Sequence, residues 1–214
     1  MALVVAERHE NRLRLILNRP DKANALSREM LHRLKTVFEE AADDESLHVL
    51  TIEGAGGRVF CAGADLSELS GDANDPADKI WEEMSASLAA IPFLTIALIN
   101  GPCIGGATTL AVGCDIRLAA PEATFGYPVL RNGVFPTRRD SDRLAHLVGP
   151  GRSALFLLGG IRIDAEEARD WGLIERIVER DGLEAAALEI SATARETNRA
   201  HLVALKARSR ESET

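Results

Sequence analysis

The sequence predicts an α/β fold, in which short buried strands alternate with helices. Three observations support this prediction. The 214 residues are 46% apolar and 27% charged, which is typical of a globular chain with a substantial core. Short runs of branched apolar residues recur along the chain, and segments with apolar residues at helical spacing separate them. Glycine-containing turns close several of the apolar runs, as at residues 54–57 and 100–102.

The N-terminal part of the chain is predicted to form a hairpin and then a helix. Residues 3–5 and 13–17 are short segments rich in branched residues, and a Glu-Asn pair lies between them. A helix is predicted from Ser27, whose side chain can cap it, with Glu29 in the first turn. One face of this helix should be buried, because apolar residues recur at steps of three and four. These residues are Leu26, Met30, Leu34, Phe38 and Ala41.

The alternation continues through the middle of the chain. Residues 49–52 are predicted as a buried strand and residues 60–63 as a second short strand. Residues 70–77 are polar and contain glycine and proline, so a mobile loop is expected there. Helical spacing of apolar residues then returns. These residues are Ile80, Met84, Leu88 and Ile91.

The second half of the chain shows the same pattern. The predicted elements are strands at 94–99, 116–119 and 173–178, and helices at 104–111, 140–148 and 152–158. From Gly182 the chain is rich in Ala, Glu and Arg, which predicts helix. No linker rich in proline, glycine or serine separates this segment from the rest of the chain. We predict a core at residues 1–180 and a short C-terminal helical segment at residues 181–214.

Several classes of function are disfavoured by composition and motifs. The net charge of −8 leaves no strong positive field for a nucleic-acid backbone. The chain lacks a G-x-G-x-x-G after a strand and a phosphate-loop motif, which disfavours NAD-type and nucleotide-triphosphate chemistry. The five histidines and three cysteines lack metal-ligand spacing, so no metal is expected and the cysteines are predicted to be mostly buried thiols. The absence of a signal-like or membrane-spanning segment predicts a cytoplasmic protein without membrane contact.

Two groups of small residues are candidates for a binding site. They occupy residues 62–66 (Ala-Gly-Ala-Asp-Leu) and 101–106 (Gly-Pro-Cys-Ile-Gly-Gly), each where a strand is expected to turn into a helix. If Ala64 and Gly106 face one another, their peptide N–H groups could donate to one carbonyl oxygen as it gains negative charge. Most glycine-rich turns serve turn geometry and close packing alone, so each motif is weak by itself.

Taken together and in order, four segments resemble the crotonase, or enoyl-CoA hydratase/isomerase, superfamily. They are residues 18–26 (NRPDKANAL), 60–66 (FCAGADL), 100–106 (NGPCIGG) and 114–119 (CDIRLA), the last running on to Phe125-Gly126. The similarity extends through residues 172–178 (GLIERIV) and covers most of the chain. The resemblance implies a crotonase-like ββα spiral with a short C-terminal helical region, assembled as a homotrimer or hexamer. It also implies a coenzyme A thioester as substrate, with no tightly bound cofactor.

The resemblance also implies roles for individual residues. The two oxyanion donors would be the N–H groups of Ala64 and Gly106. Lys22 and Ala23 would lie near the adenosine-phosphate end of coenzyme A, although a solvated loop lysine is an equal alternative for Lys22. Further substrate contacts would come from four residues, which are Ala62, Asp65, Leu66 and Val129.

The sequence departs from the pattern of a hydratase at two positions. Such enzymes carry one glutamate three residues after the oxyanion glycine and another after the Phe-Gly pair, where this chain has Thr109 and Val129. Losing one positioned acid/base group costs about 10²–10⁴-fold in rate. Ordinary hydration is therefore disfavoured, and so is the usual isomerase mechanism, which needs the second glutamate.

Other polar residues could replace the missing glutamates. Asp140 could act as a base, whereas Arg131 or Arg138 could hold a substrate carboxylate with two hydrogen bonds. Each has a simpler alternative, because Asp140 suits the first turn of a helix and the arginines suit a solvated surface. Thr109 could orient water or could bond back to its own helix. The remaining candidates are Tyr127, Thr137 and Arg139.

The sequence therefore predicts an acyl-CoA-processing enzyme that stabilises a thioester enolate through two backbone N–H groups. Double-bond isomerisation, decarboxylation and thioester hydrolysis all remain open. The alternative is a non-catalytic acyl-CoA-binding protein that has lost its acid/base residues. Because family members usually continue for several tens of residues further, the pocket is expected to be open or covered by a partner.

Overall fold

The computed structural model describes residues 2–68 and 76–211, with side chains described for 2–68 and 79–210. The strands are β1 (Val4–His9), β2 (Arg12–Leu17), β3 (Val49–Gly54), β4 (Leu94–Ile99), β5 (Cys103–Ile104), β6 (Ile116–Ala119), β7 (Thr124–Gly126), β8 (Arg162–Asp164) and β9 (Arg176–Ile177). The helices are α1 (Arg28–Asp43), α2 (Pro76–Ala90), α3 (Ala107–Gly113), α4 (Val129–Asn132), α5 (Arg138–Val148), α6 (Pro150–Leu157), α7 (Ala165–Asp170), α8 (Leu183–Ile190), α9 (Ala192–Glu196) and α10 (Arg199–Glu211).

The strands form two sheets. The larger sheet has the order β1-β2-β3-β4-β6-β9, and the smaller sheet has the order β5-β7-β8. The β1–β2 pair is an antiparallel hairpin, whereas every later pair in the larger sheet is parallel. Parallel neighbours need a crossover connection, and α1 and α2 supply the first two. The predicted α/β class and N-terminal hairpin are confirmed.

Helix α1 forms as its sequence predicts. The Ser27 hydroxyl accepts a hydrogen bond from the Met30 N–H, at 3.2 Å, which satisfies one of the donors at the start of the helix. The periodic apolar face packs into the core and the opposite face is exposed. Its buried members are Met30, Leu31, Leu34, Val37, Phe38 and Ala41.

Three predicted elements differ from the structure. Residues 60–63 are not a strand, because Gly63 has φ +93° and the segment makes one isolated bridge, between Cys61 and Cys103. The helix predicted at 104–111 starts at Ala107, since Ile104 belongs to β5 and Gly105 has φ +61°. The predicted strand at 173–178 shortens to β9. A mobile loop was expected at residues 70–77. Residues 70–75 lie outside the described part of the chain, and residues 76–77 belong to α2.

Arg117 joins two segments that are far apart in the sequence. This side chain is buried, and its guanidinium donates to the carbonyl oxygens of Leu173 and Cys114, each at 2.8 Å. It also forms an ion pair with Glu175. A buried guanidinium needs such partners for its donors. The contacts tie residues 114–119 to residues 172–178 and so fix β6 beside β9.

Asp115 anchors the last helix to the larger sheet. Its carboxylate accepts from the N–H of Thr95 and forms ion pairs with Lys206, at 2.6 Å, and Arg210, at 2.8 Å, both on α10. Burial acts to raise the pKa of Asp115, but the two cations and the Thr95 hydrogen bonds outweigh burial and lower it. The carboxylate therefore stays ionised and stabilises the docked helix.

Asp115→Asn is expected to lower the free energy of unfolding at pH 7 by about 3 kcal/mol, because Lys206 is left mostly buried beside a neutral amide. Since folding lowers the pKa, this stabilisation is complete above the unfolded value of about 3.9 and is lost as the pH falls through the folded value. Urea unfolding at pH 7 and below pH 4 should show the difference from the parent protein shrinking on acidification. Asp170→Asn, at an exposed carboxylate, is the control and should change stability by less than about 0.5 kcal/mol. An equal loss at both pH values would contradict this account.

All three cysteines are buried and free, as predicted. Burial raises the pKa of both Cys61 and Cys114 to about 12, so these thiols stay protonated at neutral pH. Within residues 2–68 and 76–211, no helix is long and apolar enough to cross a membrane.

Candidate active site

Backbone hydrogen bonds join the two small-residue loops. The N–H of Ile104 donates to the carbonyl of Cys61 at 3.0 Å, and the N–H of Cys61 donates to the carbonyl of Pro102 at 3.2 Å. Ala64 pairs with Leu26 in an isolated parallel bridge, which holds the other side of the first loop. The loop at 61–65 is therefore fixed between β5 and the start of α1.

The approach of these loops requires glycine. A Cβ atom on Gly63 would lie 2.6 Å from the carbonyl oxygen of Ile104 and 2.9 Å from the backbone nitrogen of Gly106, both closer than real Cβ contacts. The φ of +93° at Gly63 also lies in the region that L residues rarely adopt. The glycine at position 63 therefore lets the loop that carries Ala64 approach the backbone of Gly106.

Asn24 fixes the loop that precedes Cys61. Its side chain is fully buried, and its amide nitrogen donates to the carbonyls of Ala55 and Val59 at 3.0 and 2.9 Å. Its amide oxygen accepts from the Arg19 N–H at 3.0 Å. One side chain therefore satisfies backbone groups of two segments, at residue 19 and at residues 55–59.

Two peptide N–H groups in these loops have no partner. In the described part of the chain, neither the N–H of Ala64 nor that of Gly106 donates a hydrogen bond, although the N–H groups of Asp65 and Gly105 both do. Backbone donors in folded proteins are nearly always satisfied by protein or water. Ala64 and Gly106 both line the same two cavities, so their N–H groups are available to a ligand there.

The larger of these cavities has a volume of about 280 Å³ and a mainly apolar wall. The Trp81 indole packs on Gly106, where an added Cβ would come within 2.5 Å of the ring. Phe135, 83% exposed, stands at the mouth of the cavity. The wall is formed by Ala64, Trp81, Glu82, Gly106, Thr109, Tyr127, Val134, Phe135, Pro136 and Thr137.

The smaller cavity, of about 70 Å³, is lined by the same two backbone segments. Ala62 and Leu66 come from the first loop, and Val129 from the start of α4. Leu66 is 61% exposed, so this cavity opens towards the protein surface. The two cavities share Ala64, Gly106, Tyr127 and Val134.

A buried polar network lies behind the larger cavity. The Asp140 carboxylate is fully buried and accepts from the hydroxyls of Thr109, at 2.8 Å, and Ser85, at 2.7 Å. Arg143 also donates to it, at 3.2 Å. Burial, aided by the charge of Asp140, raises the pKa of Tyr127, so this phenol stays neutral.

Comparison with known proteins places the chain in a family. A family model described as enoyl-CoA hydratase/isomerase matches residues 7–213. The chain belongs to the enoyl-CoA hydratase/isomerase family. Its relatives include the putative enoyl-CoA hydratase/isomerase YngF of Bacillus subtilis, which is 34% identical over 89% of this chain and 75% of that protein. Another relative is the mevalonyl-coenzyme A hydratase sidH of Aspergillus fumigatus, 38% identical over 84% of this chain and 67% of that protein.

Solved structures of the enoyl-CoA hydratase/isomerase family have the same fold. An enoyl-CoA hydratase/carnithine racemase from Magnetospirillum magneticum superimposes with a TM-score of 0.88 and 33% identity, over 97% of this chain and 81% of that one. DspI of Pseudomonas aeruginosa gives a TM-score of 0.92 at 28% identity, over 99% and 82% of the two chains. The predicted crotonase-like fold is therefore confirmed.

The structure places most of the residues expected at the site around the two cavities. Thr109 and Val129, the residues expected at the two glutamate positions, line the larger and the smaller cavity respectively. Tyr127 lines both cavities and Thr137 the larger. Thr109 does not bond back to its own helix, because its hydroxyl donates to Asp140.

Four candidates for proton transfer or substrate binding lie outside both cavities. Asp140 lies behind Thr109 with no exposed surface and lines neither cavity, so it does not face a ligand as a base must. Arg131, on α4, is exposed and lines neither cavity. Arg138 and Arg139 are also exposed, at the start of α5, and outside both. The sequence alone could not show which polar residues line a cavity and which do not.

The residues expected around coenzyme A lie on the first loop and the turn beside it. Lys22 is exposed and ends a short 3₁₀ turn, and the carbonyl of Ala23 accepts from the Ala62 N–H at 3.0 Å. The Asp65 carboxylate accepts from Ser67 and pairs with Arg19 at 2.6 Å. These contacts lower the pKa of Asp65 to about 2, so its charge is already matched within the protein.

Sequence reasoning missed Trp81 and Glu82, which both line the larger cavity. The helical spacing of Ile80, Met84 and Leu88 correctly marked the buried face of α2. That spacing does not indicate that the face of α2 that carries Trp81 and Glu82 borders the cavity. No cluster of three or more His, Cys, Asp or Glu side chains that could hold a metal occurs within the described ranges.

Proposed function

We propose that the protein binds acyl-CoA thioesters and stabilises the thioester enolate through the N–H groups of Ala64 and Gly106. The observation that carries this proposal is the pair of unpartnered peptide donors beside one cavity. As the α-proton leaves, negative charge develops on the thioester oxygen. Preorganised donors stabilise that charge, and each is typically worth about 10²–10³-fold in rate.

The two cavities suggest how the thioester lies. We propose that the acyl group occupies the larger cavity, against Trp81 and Val134, and that the pantetheine leaves along Ala62 and Leu66. Lys22 and Ala23 would then lie towards the adenosine-phosphate end. Relatives named mevalonyl-coenzyme A hydratase and crotonyl-CoA hydratase support coenzyme A thioesters as the substrate class.

We do not propose hydration by two glutamates, because Thr109 and Val129 occupy those positions. Neither side chain can activate water as a carboxylate does. Double-bond isomerisation, decarboxylation and thioester hydrolysis all use the enolate or oxyanion that the two N–H groups would stabilise. The missing glutamates also favour a second candidate, a non-catalytic acyl-CoA-binding protein.

A panel of thioesters tests the proposal. The purified protein is incubated with enoyl-, malonyl- and β-ketoacyl-CoA, and products are identified by chromatography with mass detection. A shifted double bond, loss of carbon dioxide or release of free coenzyme A would each support the proposal and identify the reaction. Addition of water would contradict the argument from the missing glutamates. Tight binding without any product would favour the binding protein instead.

A further inference from the structure

One acidic side chain borders the cavity beside the two free N–H groups. Among the described residues that line this cavity, Glu82 is the single carboxylate. It is exposed, on the second turn of the described part of α2, and it makes no ion pair or hydrogen bond with any described residue. A carboxylate with no internal partner is available to a bound molecule.

The other polar groups in the cavity wall are unsuited to removing a proton from carbon. The Thr109 hydroxyl donates to Asp140, and the Thr137 hydroxyl oxygen accepts from the Asp140 N–H. Burial raises the pKa of Tyr127, so it does not supply a phenolate at neutral pH. An alcohol or a neutral phenol is a far weaker base than a carboxylate. Of these groups, Glu82 alone has a carboxylate.

Helix α2 brings Glu82 close to the proposed oxyanion site. Its neighbour Trp81 packs directly on Gly106, so this turn of the helix lies against the Gly106 backbone. A cavity of 280 Å³ is about 8 Å across if it is roughly spherical, so an acyl group held at Ala64 and Gly106 lies within direct or one-water reach of Glu82. Glu83 does not line the cavity, and it pairs with Lys79 at 3.5 Å.

We propose that Glu82 is the catalytic base, transferring the proton to and from the acyl group. This inference rests on the proposed function. The Glu82 carboxylate takes a proton from Cα, so the Cα–H bond breaks and an O–H bond forms. The electron pair of that bond forms a Cα–C1 double bond, and the negative charge on the thioester oxygen is held by the Ala64 and Gly106 N–H groups. Glu82 then returns the proton to Cα, or to Cγ of an unsaturated chain, where it shifts the double bond.

Proton exchange in deuterium oxide tests this role without knowledge of the natural reaction. Butyryl-CoA is incubated with the protein, and deuterium at Cα is followed by mass spectrometry. Glu82→Gln keeps the size of the side chain but removes the base, and we expect exchange to slow by about 10²-fold or more. Glu83→Gln, the same change one residue further along α2, should exchange at the parental rate. Calorimetry should give dissociation constants for butyryl-CoA within about twofold for all three proteins.

The possible outcomes separate this inference from the proposed function. Exchange by the parent and by Glu83→Gln, but not by Glu82→Gln, supports both. Equal exchange by all three proteins would leave the enolate chemistry standing and overturn the assignment of Glu82. An absence of exchange in the parent protein would overturn the role of Glu82, whereas the proposed function itself would be overturned only if the thioester panel also gave no product. Weakened binding by Glu82→Gln with an unchanged rate at saturation would assign Glu82 to substrate binding rather than proton transfer.

Discussion

Replacing Gly106 with proline is expected to slow Cα exchange and any turnover of acyl-CoA by about 10²–10³-fold. Proline has no N–H, so the substitution removes one of the two donors proposed for the enolate oxygen. Its ring would also fill the space in front of the missing donor. Binding of butyryl-CoA should weaken much less than the rate falls, because the donor matters most when negative charge develops.

Gly106→Ala is the matched control for this experiment. Both substitutions add a Cβ atom 2.5 Å from the Trp81 ring, so both force that side chain to move. Only proline removes the N–H group. We therefore expect Gly106→Ala to retain considerably more activity than Gly106→Pro. Equal losses in the two variants would show that displacement of Trp81, and not loss of the donor, causes the effect.

Local sequence patterns were sufficient for elements whose structure depends on nearby residues. The Ser27 cap and the spacing from Met30 to Ala41 predict α1 because both act within a few turns of one helix. The prediction failed at residues 60–63, where an apolar run looks like a strand. The conformation there depends on the close contact between Gly63 and the Gly105–Gly106 backbone, which only the folded chain brings together.

The sequence locates part of the candidate site. The small-residue motifs and the resemblance to a family both point to Ala64 and Gly106, and both residues line the same two cavities. Glu82 could not be identified, since an exposed glutamate on an amphipathic helix is ordinary. Whether it borders a cavity depends on how α2 packs against α3 and α5, which the helical spacing does not encode. The same limit explains why Asp140 was a candidate base.

Asp140→Ala is expected to lower the free energy of unfolding by about 3–5 kcal/mol. The Asp140 carboxylate is fully buried, and it joins Ser85 on α2, Thr109 on α3 and Arg143 on its own helix α5. Removing it leaves the Ser85 and Thr109 hydroxyls without their acceptor in the protein interior. Each buried unsatisfied group costs about 1–3 kcal/mol. The loss should appear as a lower midpoint in urea unfolding, with the slope unchanged.

Two further variants distinguish this structural role of Asp140 from catalysis. Asp142→Ala, at an exposed carboxylate on the same helix, should change stability by less than about 0.5 kcal/mol. Asp140→Asn keeps one acceptor oxygen and should lose less stability than Asp140→Ala. Because Asp140 does not line the cavity, Asp140→Asn should also exchange Cα protons at a rate within about tenfold of the parent. Removing a catalytic base would reduce that rate by about 10²-fold or more. If Asp140→Asn folds but loses as much exchange as is expected for Glu82→Gln, Asp140 takes part in the reaction.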